Sequence, residues 1–322
     1  MPDRRDATFE SSGETCAAWL YTGQGDAFAG ESGRPCVVMA HGVGGTRDSG
    51  LEPFAEAFAD AGLDVVLFDY RCFGDSTGEP RQFAWPPRHR DDYGAAVRFA
   101  RDLDGVDPDR IVLWGTSWSG GHVVCVAADD PRVAAVISQT PDLDGLRVGQ
   151  AILKHEGAGY AMRLNAAAIR DGVAGLRGGE PELIPLAARP GEIAAMSTDE
   201  ALPGYEAIGG NTWRNEVTAR ALLYEPLNRA VTRMDDLRCP ILIGVAEYDT
   251  IIPPETGHAA AWKAKGRAEV REYPCAHFDM YVGEMRERSI ADQLHFLGRH
   301  LGATPVSPPS GPARGQASPL SH

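Results

Sequence analysis

Residues 111–121 read Ile111-Val112-Leu113-Trp114-Gly115-Thr116-Ser117-Trp118-Ser119-Gly120-Gly121. An apolar run that dissolves into small residues around a serine predicts a buried strand over 110–114, a sharp turn at Ser117 and a helix over 119–128. Such a turn lifts the serine above the end of a sheet, and its neighbours must be small because strand and helix pass close to each other. The serine also stands at a helix N-terminus, where unpaired N–H groups and the helix dipole favour developing negative charge. The bland alternative is a glycine-rich helix start with no reactive group, so the surrounding chain has to decide.

Outward from this stretch the chain alternates. Segments 15–21, 35–40 and 64–70 are short apolar runs bounded by turn residues and predict strands. Between the last two, Leu51, Phe54, Ala55, Phe58 and Ala61 recur at helical spacing. A helix over 90–103, the strand before Ser117, its helix and a strand over 132–138 continue the series. After a break, strands at 240–246 and 268–273 and helices at 254–265 and 283–301 resume it. Alternation on this scale predicts an α/β fold: a mostly parallel central sheet of about eight strands with helices on both faces.

The break covers 142–236. No strong strand is predicted there, only helix-prone pieces at 146–164, 166–176 and 215–223 separated by turns such as Gly178-Gly179-Glu180-Pro181. A helical insertion between two strands of such a sheet lies where ligands bind, beyond the strands' carboxyl ends, so it is read as a lid or cap. The organisation expected is a core domain from 1–141 and 237–303, a cap from 142–236, and a disordered Pro-, Ser- and Gly-rich tail over 304–322. The length of 322 residues then means one enlarged domain, not two modest ones.

The chain carries 31 basic and 45 acidic residues, a net charge of −14, which argues against a nucleic-acid partner. No run approaches the roughly 18 apolar residues of a membrane span, and the start, Met1-Pro2-Asp3-Arg4-Arg5-Asp6, is polar; no membrane association and a cytoplasmic location are expected. Six scattered cysteines without a C-x-x-C pair predict buried free thiols, and no spacing suggests a metal site. No cofactor is implied. A homodimer is compatible with the sequence.

A nucleophilic serine needs a base, and the base needs an acid to orient it. Among nine histidines, His277 lies just past the last strand and so reaches the sheet edge that carries Ser117, whereas His122, His258, His295 and His300 fall within helices. Asp249 follows the strand 240–246 and is the preferred acid over Asp142, Asp144, Glu247 and Asp279. The chain order Ser117, Asp249, His277 suits this fold and differs from the two common serine-protease orders. Developing oxyanion charge needs donors. The amide of Trp118 is one candidate; the other is Val43, in His41-Gly42-Val43-Gly44-Gly45-Thr46. A phosphate loop is excluded there, since G-x-G-x-x-G is absent and no Lys follows Gly45.

At this point the chain resembles the α/β-hydrolase-fold serine hydrolases from about Phe9 to Leu301. The elbow Gly115-Thr116-Ser117-Trp118-Ser119-Gly120 is similar to the G-x-S-aromatic-x-G form of the dienelactone-hydrolase-like and X-prolyl-peptidase-like branches. The stretch 68–81 resembles a further motif of many members, F-D-x-R-x-x-G-x-S-x-G. The resemblance implies that this stretch is a buried turn supporting the oxyanion loop, with Arg71 tied to local carboxylates. Ser119 stands where the strict pentad has glycine, and a serine is small enough to be accommodated.

The reaction expected is hydrolysis of a carboxylic ester, thioester or lactone, or of an amide, on a small-molecule acyl substrate of small to medium size and largely apolar character. Apolar and aromatic residues of 142–236 are expected to form its pocket, with Tyr160 and Trp213 as binding residues. Elimination by a lyase, or C–C bond hydrolysis of a secondary metabolite such as a polyketide, is the alternative chemistry for the same triad. A ligand-binding homologue without catalysis is the alternative outside chemistry.

Overall fold

The computed structural model describes residues 3–302. The segments with unbroken apolar runs became the central strands. β3 (Arg34–Ala40), β5 (Val106–Thr116), β6 (Val133–Gln139) and β9 (Ile241–Ala246) are buried over nearly all of their apolar stretches, as strands covered on both faces must be. With β1 (Arg4–Ser11), β2 (Glu14–Tyr21), β4 (Asp64–Phe68) and β10 (Ala268–Tyr273) they form one eight-stranded sheet, ordered β1-β2-β4-β3-β5-β6-β9-β10. The pairs β1–β2 and β2–β4 are antiparallel and the remaining pairs parallel. Helices α1 (Glu52–Asp60), α2 (Pro86–Arg101), α3 (Trp118–Asp129), α6 (Glu255–Lys263) and α7 (Gly283–Leu301) accompany this sheet.

Several local features differ from the reading of the sequence. β1 was not anticipated: R-R-D-A-T-F-E-S has few apolar residues, because an edge strand has only one neighbour and tolerates charge. It pairs with β2 through a hairpin at Ser12-Gly13. α2 starts at Pro86 rather than near 90, with proline in the first turn, where its missing N–H costs no hydrogen bond. The predicted helix at 215–223 is instead the two-residue strand β8 (Val217–Thr218), paired with β7 (Leu183–Ile184), followed by a 3-10 helix (Ala219–Leu227) containing Pro226. The helices expected at 146–164 and 166–176 are one element, α4 (Gly145–Leu176), interrupted at Gly157 (φ 82°, ψ 169°), a conformation that only glycine adopts freely.

Between β6 and β9 the chain also forms α5 (Ala201–Ile208), which was missed, and α4 packs along the 3-10 helix Ala219–Leu227. All six cysteines are free and buried. Among the described residues no helix is long and apolar enough to cross a membrane. The tail expected over 304–322 lies outside the described residues.

Candidate active site

Ser117 occupies the turn from β5 into α3 with φ 54° and ψ −124°, a backbone conformation that a residue with a side chain adopts only when its surroundings enforce it. The enforcement is visible in its hydrogen bonds. Its N–H donates to the Gln139 carbonyl at 2.9 Å, and its own carbonyl accepts from Gly120 at 3.0 Å and Asp142 at 2.9 Å. Small neighbours are required: a Cβ on Gly115 would lie 2.4 Å from the Ser119 carbonyl oxygen. The departure at Ser119 has a use. Its hydroxyl lies 2.9 Å from the carbonyl oxygens of Ala40 and Thr116 and accepts from the Thr116 amide at 2.7 Å, tying the turn to β3.

His277 and Asp249 lie in the loops after β10 and β9, and their parallel pairing brings these loops together. The imidazole Nδ1–H donates to Asp249 Oδ2 at 2.6 Å, with both side chains almost wholly buried. Asp249 Oδ1 accepts from the amides of Ile251 and Ile252, each at 2.8 Å, so the carboxylate is fixed from both sides. Burial pushes the His277 pKa down, but the charge and hydrogen bond of Asp249, helped by the charge of Glu200, outweigh it and leave the pKa raised. This arrangement leaves Nε2 as the imidazole atom available for proton exchange. Ser117 Oγ has no hydrogen bond to it among the described residues; such contacts are commonly long without substrate and tighten when one binds.

Three of the four rival acids are engaged elsewhere. Asp144 pairs with Arg229, Asp279 accepts from the Ala276 amide, and Asp142 Oδ2 accepts from Asn228 at 3.3 Å.

Val43 borders the cavity above Ser117, and among the described residues its amide donates to no backbone oxygen. The Trp118 amide is one of the first N–H groups of α3, which have no partner within the helix. The loop comes very close to the elbow: a Cβ on Gly42 would stand 2.9 Å from Ser117 Cβ. Tyr205 Oη donates to the Val43 carbonyl at 2.7 Å, fixing that peptide. His41 is buried with its ring stacked on Tyr281, and burial draws its pKa down to about 4, so it is neutral.

The stretch 68–81 does support this loop, but through Asp69 more than Arg71. Asp69 Oδ1 accepts from the Arg47 amide at 2.6 Å and Oδ2 from its guanidinium at 2.6 Å, and Arg47 closes the loop. Arg71 is tied to carboxylates as expected, through Asp92, which also accepts from Ser11.

A cavity of about 100 Å³ is bordered by Ser117 and lined chiefly by apolar side chains. Its walls come from the 41–46 loop, from Ile251 and Ile252, and from the segment between β6 and β9, including Val148, Ile152 and Tyr160. Tyr160 is anchored by a 2.7 Å bond to the Ala194 carbonyl. Trp213 is not on this wall. It stacks on Tyr205 with ring centroids 5.6 Å apart, and Tyr205 in turn holds the 41–46 loop; a Cβ on Gly209 would crowd the indole. Met162 and Leu153, apolar residues expected to face a pocket, lie largely exposed on α4.

Sequence reasoning missed the cavity's polar wall. Asp142 and Glu225 both line it, and Glu225 Oε2 accepts from the Trp118 indole at 2.8 Å. Burial raises both carboxyls; the charge of Asp142 adds to it at Glu225, which lies well above the usual range, whereas at Asp142 the hydrogen bonds with Glu225 and Asn228 work against burial. Asp142 Oδ1 and Glu225 Oε1 have no other donor, which fits one proton held between the two groups. Nothing in A-L-L-Y-E-P-L marks Glu225 as an inward-facing residue.

A family model for the alpha/beta hydrolase fold matches residues 35–177. Over 300 residues the chain is 39% identical to the quorum-quenching protein AidA of Acinetobacter baumannii, spanning 91% of this chain and 94% of that one. It is 32% identical over 194 residues to the thiohydrolase aneE of Aspergillus aculeatus, 60% of this chain and 58% of the relative. Among solved structures, the alpha/beta hydrolase GrgF from a Penicillium species matches with a TM-score of 0.76 at 25% identity, over 93% of this chain and 99% of that one. With its eight-stranded sheet, its elbow after β5 and these relatives, the chain belongs to the α/β-hydrolase-fold family.

Proposed function

We propose that the protein is a serine hydrolase that cleaves a carboxylic ester, thioester or lactone of a small to medium, largely apolar acyl substrate, with Ser117 as nucleophile, His277 as base and Asp249 as its orienting acid. The observation that carries the reading is Ser117 held at φ 54° in the lining of a largely apolar cavity, at the same end of the sheet as the loops in which a 2.6 Å bond to Asp249 orients the His277 imidazole.

In this reading Ser117 Oγ attacks the carbonyl carbon while its proton passes to His277 Nε2. The carbonyl oxygen gains negative charge and is stabilised by the amides of Val43 and Trp118. His277 then protonates the leaving oxygen or sulfur as the tetrahedral centre collapses to an acyl-serine. Water attacks that ester with His277 as base again, and the proton returns to Ser117 as the acid departs. Asp249 stabilises the imidazolium in both halves.

The apolar lining of the cavity favours an acyl chain over a charged one. The thiohydrolase among the relatives is the reason to keep thioesters within the substrate class, and the quorum-quenching relative is compatible with a signalling-type small molecule. The segment 142–236 is read here as the lid that shapes this cavity and excludes water.

The test is covalent. Incubation with a mixed library of p-nitrophenyl and thioester substrates, followed by mass spectrometry, should find the acyl group on Ser117, and Ser117→Ala should lose both label and turnover. Wild-type-like turnover by a folded Ser117→Ala variant would refute the assignment.

A further inference from the structure

Glu200 immediately precedes α5, within the segment between β6 and β9, and its carboxylate reaches two loops at once. Oε1 accepts from the Thr250 amide at 2.8 Å and from the Thr250 hydroxyl at 2.5 Å. Oε2 accepts from the His277 amide at 2.8 Å. Thr250 directly follows Asp249, so one side chain holds the residue beside the acid and the backbone of the base, whose own side chains meet at 2.6 Å. The roots of the two loops are tied by backbone bonds, Glu247 to Tyr273 at 2.9 Å and Tyr248 to Cys275 at 3.0 Å. Glu200 joins them nearer their tips, where the reacting groups are.

We propose that Glu200 is a positioning residue, contributed by the inserted segment, that clamps the Asp249 and His277 loops so that the imidazole keeps its orientation and productive geometry requires the segment to be seated. The inference rests on the assignment of His277 and Asp249 as base and acid. A capping carboxylate needs only its own helix, and α5 would be served by a short polar side chain at that position. Glu200 instead makes all three of these bonds to loops that lie 50 and 77 residues away in sequence.

The clamp is also electrostatic. The groups facing His277 are Asp249 from the β9 loop, Glu200 from the inserted segment, the neutral His41 ring and the Tyr281 ring. Of these, Asp249 and Glu200 favour the imidazolium, and Glu200 is the one that can be removed without touching the acid. Its loss should therefore move the His277 titration to lower pH as well as loosen the ring.

Glu200→Ala and Glu200→Gln, compared with the wild type on an apolar p-nitrophenyl ester, test this. Glu200→Ala should lower kcat about tenfold or more, with KM changed less than about twofold, because a misoriented base affects the chemical step more than binding. The acid limb of the pH profile should shift downward. Glu200→Gln should fall between, since its carbonyl oxygen can serve one loop while its NH2 group opposes the N–H of the other.

If Glu200→Ala fails to fold, the isosteric Glu200→Gln variant decides. An independent readout is the NMR titration of the His277 ring in substrate-free protein, where the Nδ1 proton signal should shift and exchange faster in both variants. A folded variant with wild-type kcat, pH profile and His277 titration would overturn the proposal. Should Ser117→Ala retain turnover, the hydrolase assignment fails on that result, while the NMR titration still judges the clamp.

Discussion

The indole Nε1–H of Trp118 donates to Glu225 Oε2 at 2.8 Å, so the residue that follows Ser117 is tied to a buried carboxyl from the inserted segment. Burial is the main reason that Glu225 and its neighbour Asp142 are raised above their ordinary values of 4.5 and 3.8. A carboxyl with a raised pKa in the folded state holds a proton that the unfolded chain releases. The pair's contribution to stability is therefore present at acid pH, declines as pH rises from the unfolded values toward the folded ones, and is flat above them. Glu225→Gln keeps an acceptor for Trp118 and offers an N–H to Asp142 without titrating. Its Tm relative to wild type should accordingly improve as pH rises above the ordinary carboxylate value of 4.5. A difference that stays constant with pH would show that the pair does not share a proton.

Asp249→Asn addresses the 2.6 Å contact with His277. The amide can still accept through its oxygen, but it brings no charge to stabilise the imidazolium and can present its NH2 to the ring. Steady-state kinetics should show kcat lower by about four orders of magnitude, the loss the handling of this tautomer causes in the serine-protease triad. Because His277 is raised chiefly by Asp249 working against burial, the residual activity should lose its acid limb at lower pH than in the wild type, where activity declines as the imidazole protonates. Residual activity with an unmoved limb would point to a different group as the base.

Much of this site was legible because its parts obey local rules. The apolar run before Ser117, the small residues around it, and the acidic and histidine loops directly after two strands all follow from strand period and turn chemistry. Each needs only the few residues on either side. What could not be read depends on contacts between distant segments. Glu200, Glu225 and Asp142 act through partners brought to them by the path of the inserted segment, and that path depends on breaks such as Gly157 that periodicity does not locate. Trp213 illustrates the same limit: an aromatic residue in an inserted segment packs into whichever apolar recess the chain reaches, here against Tyr205 and not in the cavity. β1 escaped notice because an edge strand can be polar.

Gly42→Ala tests how closely the 41–46 loop must approach Ser117. The new methyl would stand 2.9 Å from Ser117 Cβ and 3.1 Å from the Thr116 carbonyl oxygen, neither of which is the far end of a flexible side chain. The loop should retreat and carry the Val43 amide with it. Loss of one oxyanion donor costs about 10²–10³ in kcat, so kcat should fall by about that factor with little change in far-UV circular dichroism. Preserved kcat would mean that Val43 does not serve the reacting carbonyl.

Asp69→Ala probes the support beneath that loop. Asp69 is fully buried, and its carboxylate accepts from both the amide and the guanidinium of Arg47, whose side chain is only 8% exposed. Arg47 also reaches Asp75 at 2.6 Å and stacks over Trp19, so the guanidinium cannot readily swing into water. Removing Asp69 leaves a buried charge with one partly exposed partner. Breaking such a pair costs about 3–5 kcal/mol, a large share of the stability of an ordinary domain. Denaturant unfolding should show the midpoint lowered accordingly, and Asp69→Asn, which retains one acceptor but no charge, should lose less. A change of under about 1 kcal/mol in Asp69→Ala would mean that Asp75 alone can satisfy Arg47, and that the loop draws its rigidity from Tyr205 and the stacked His41 ring instead.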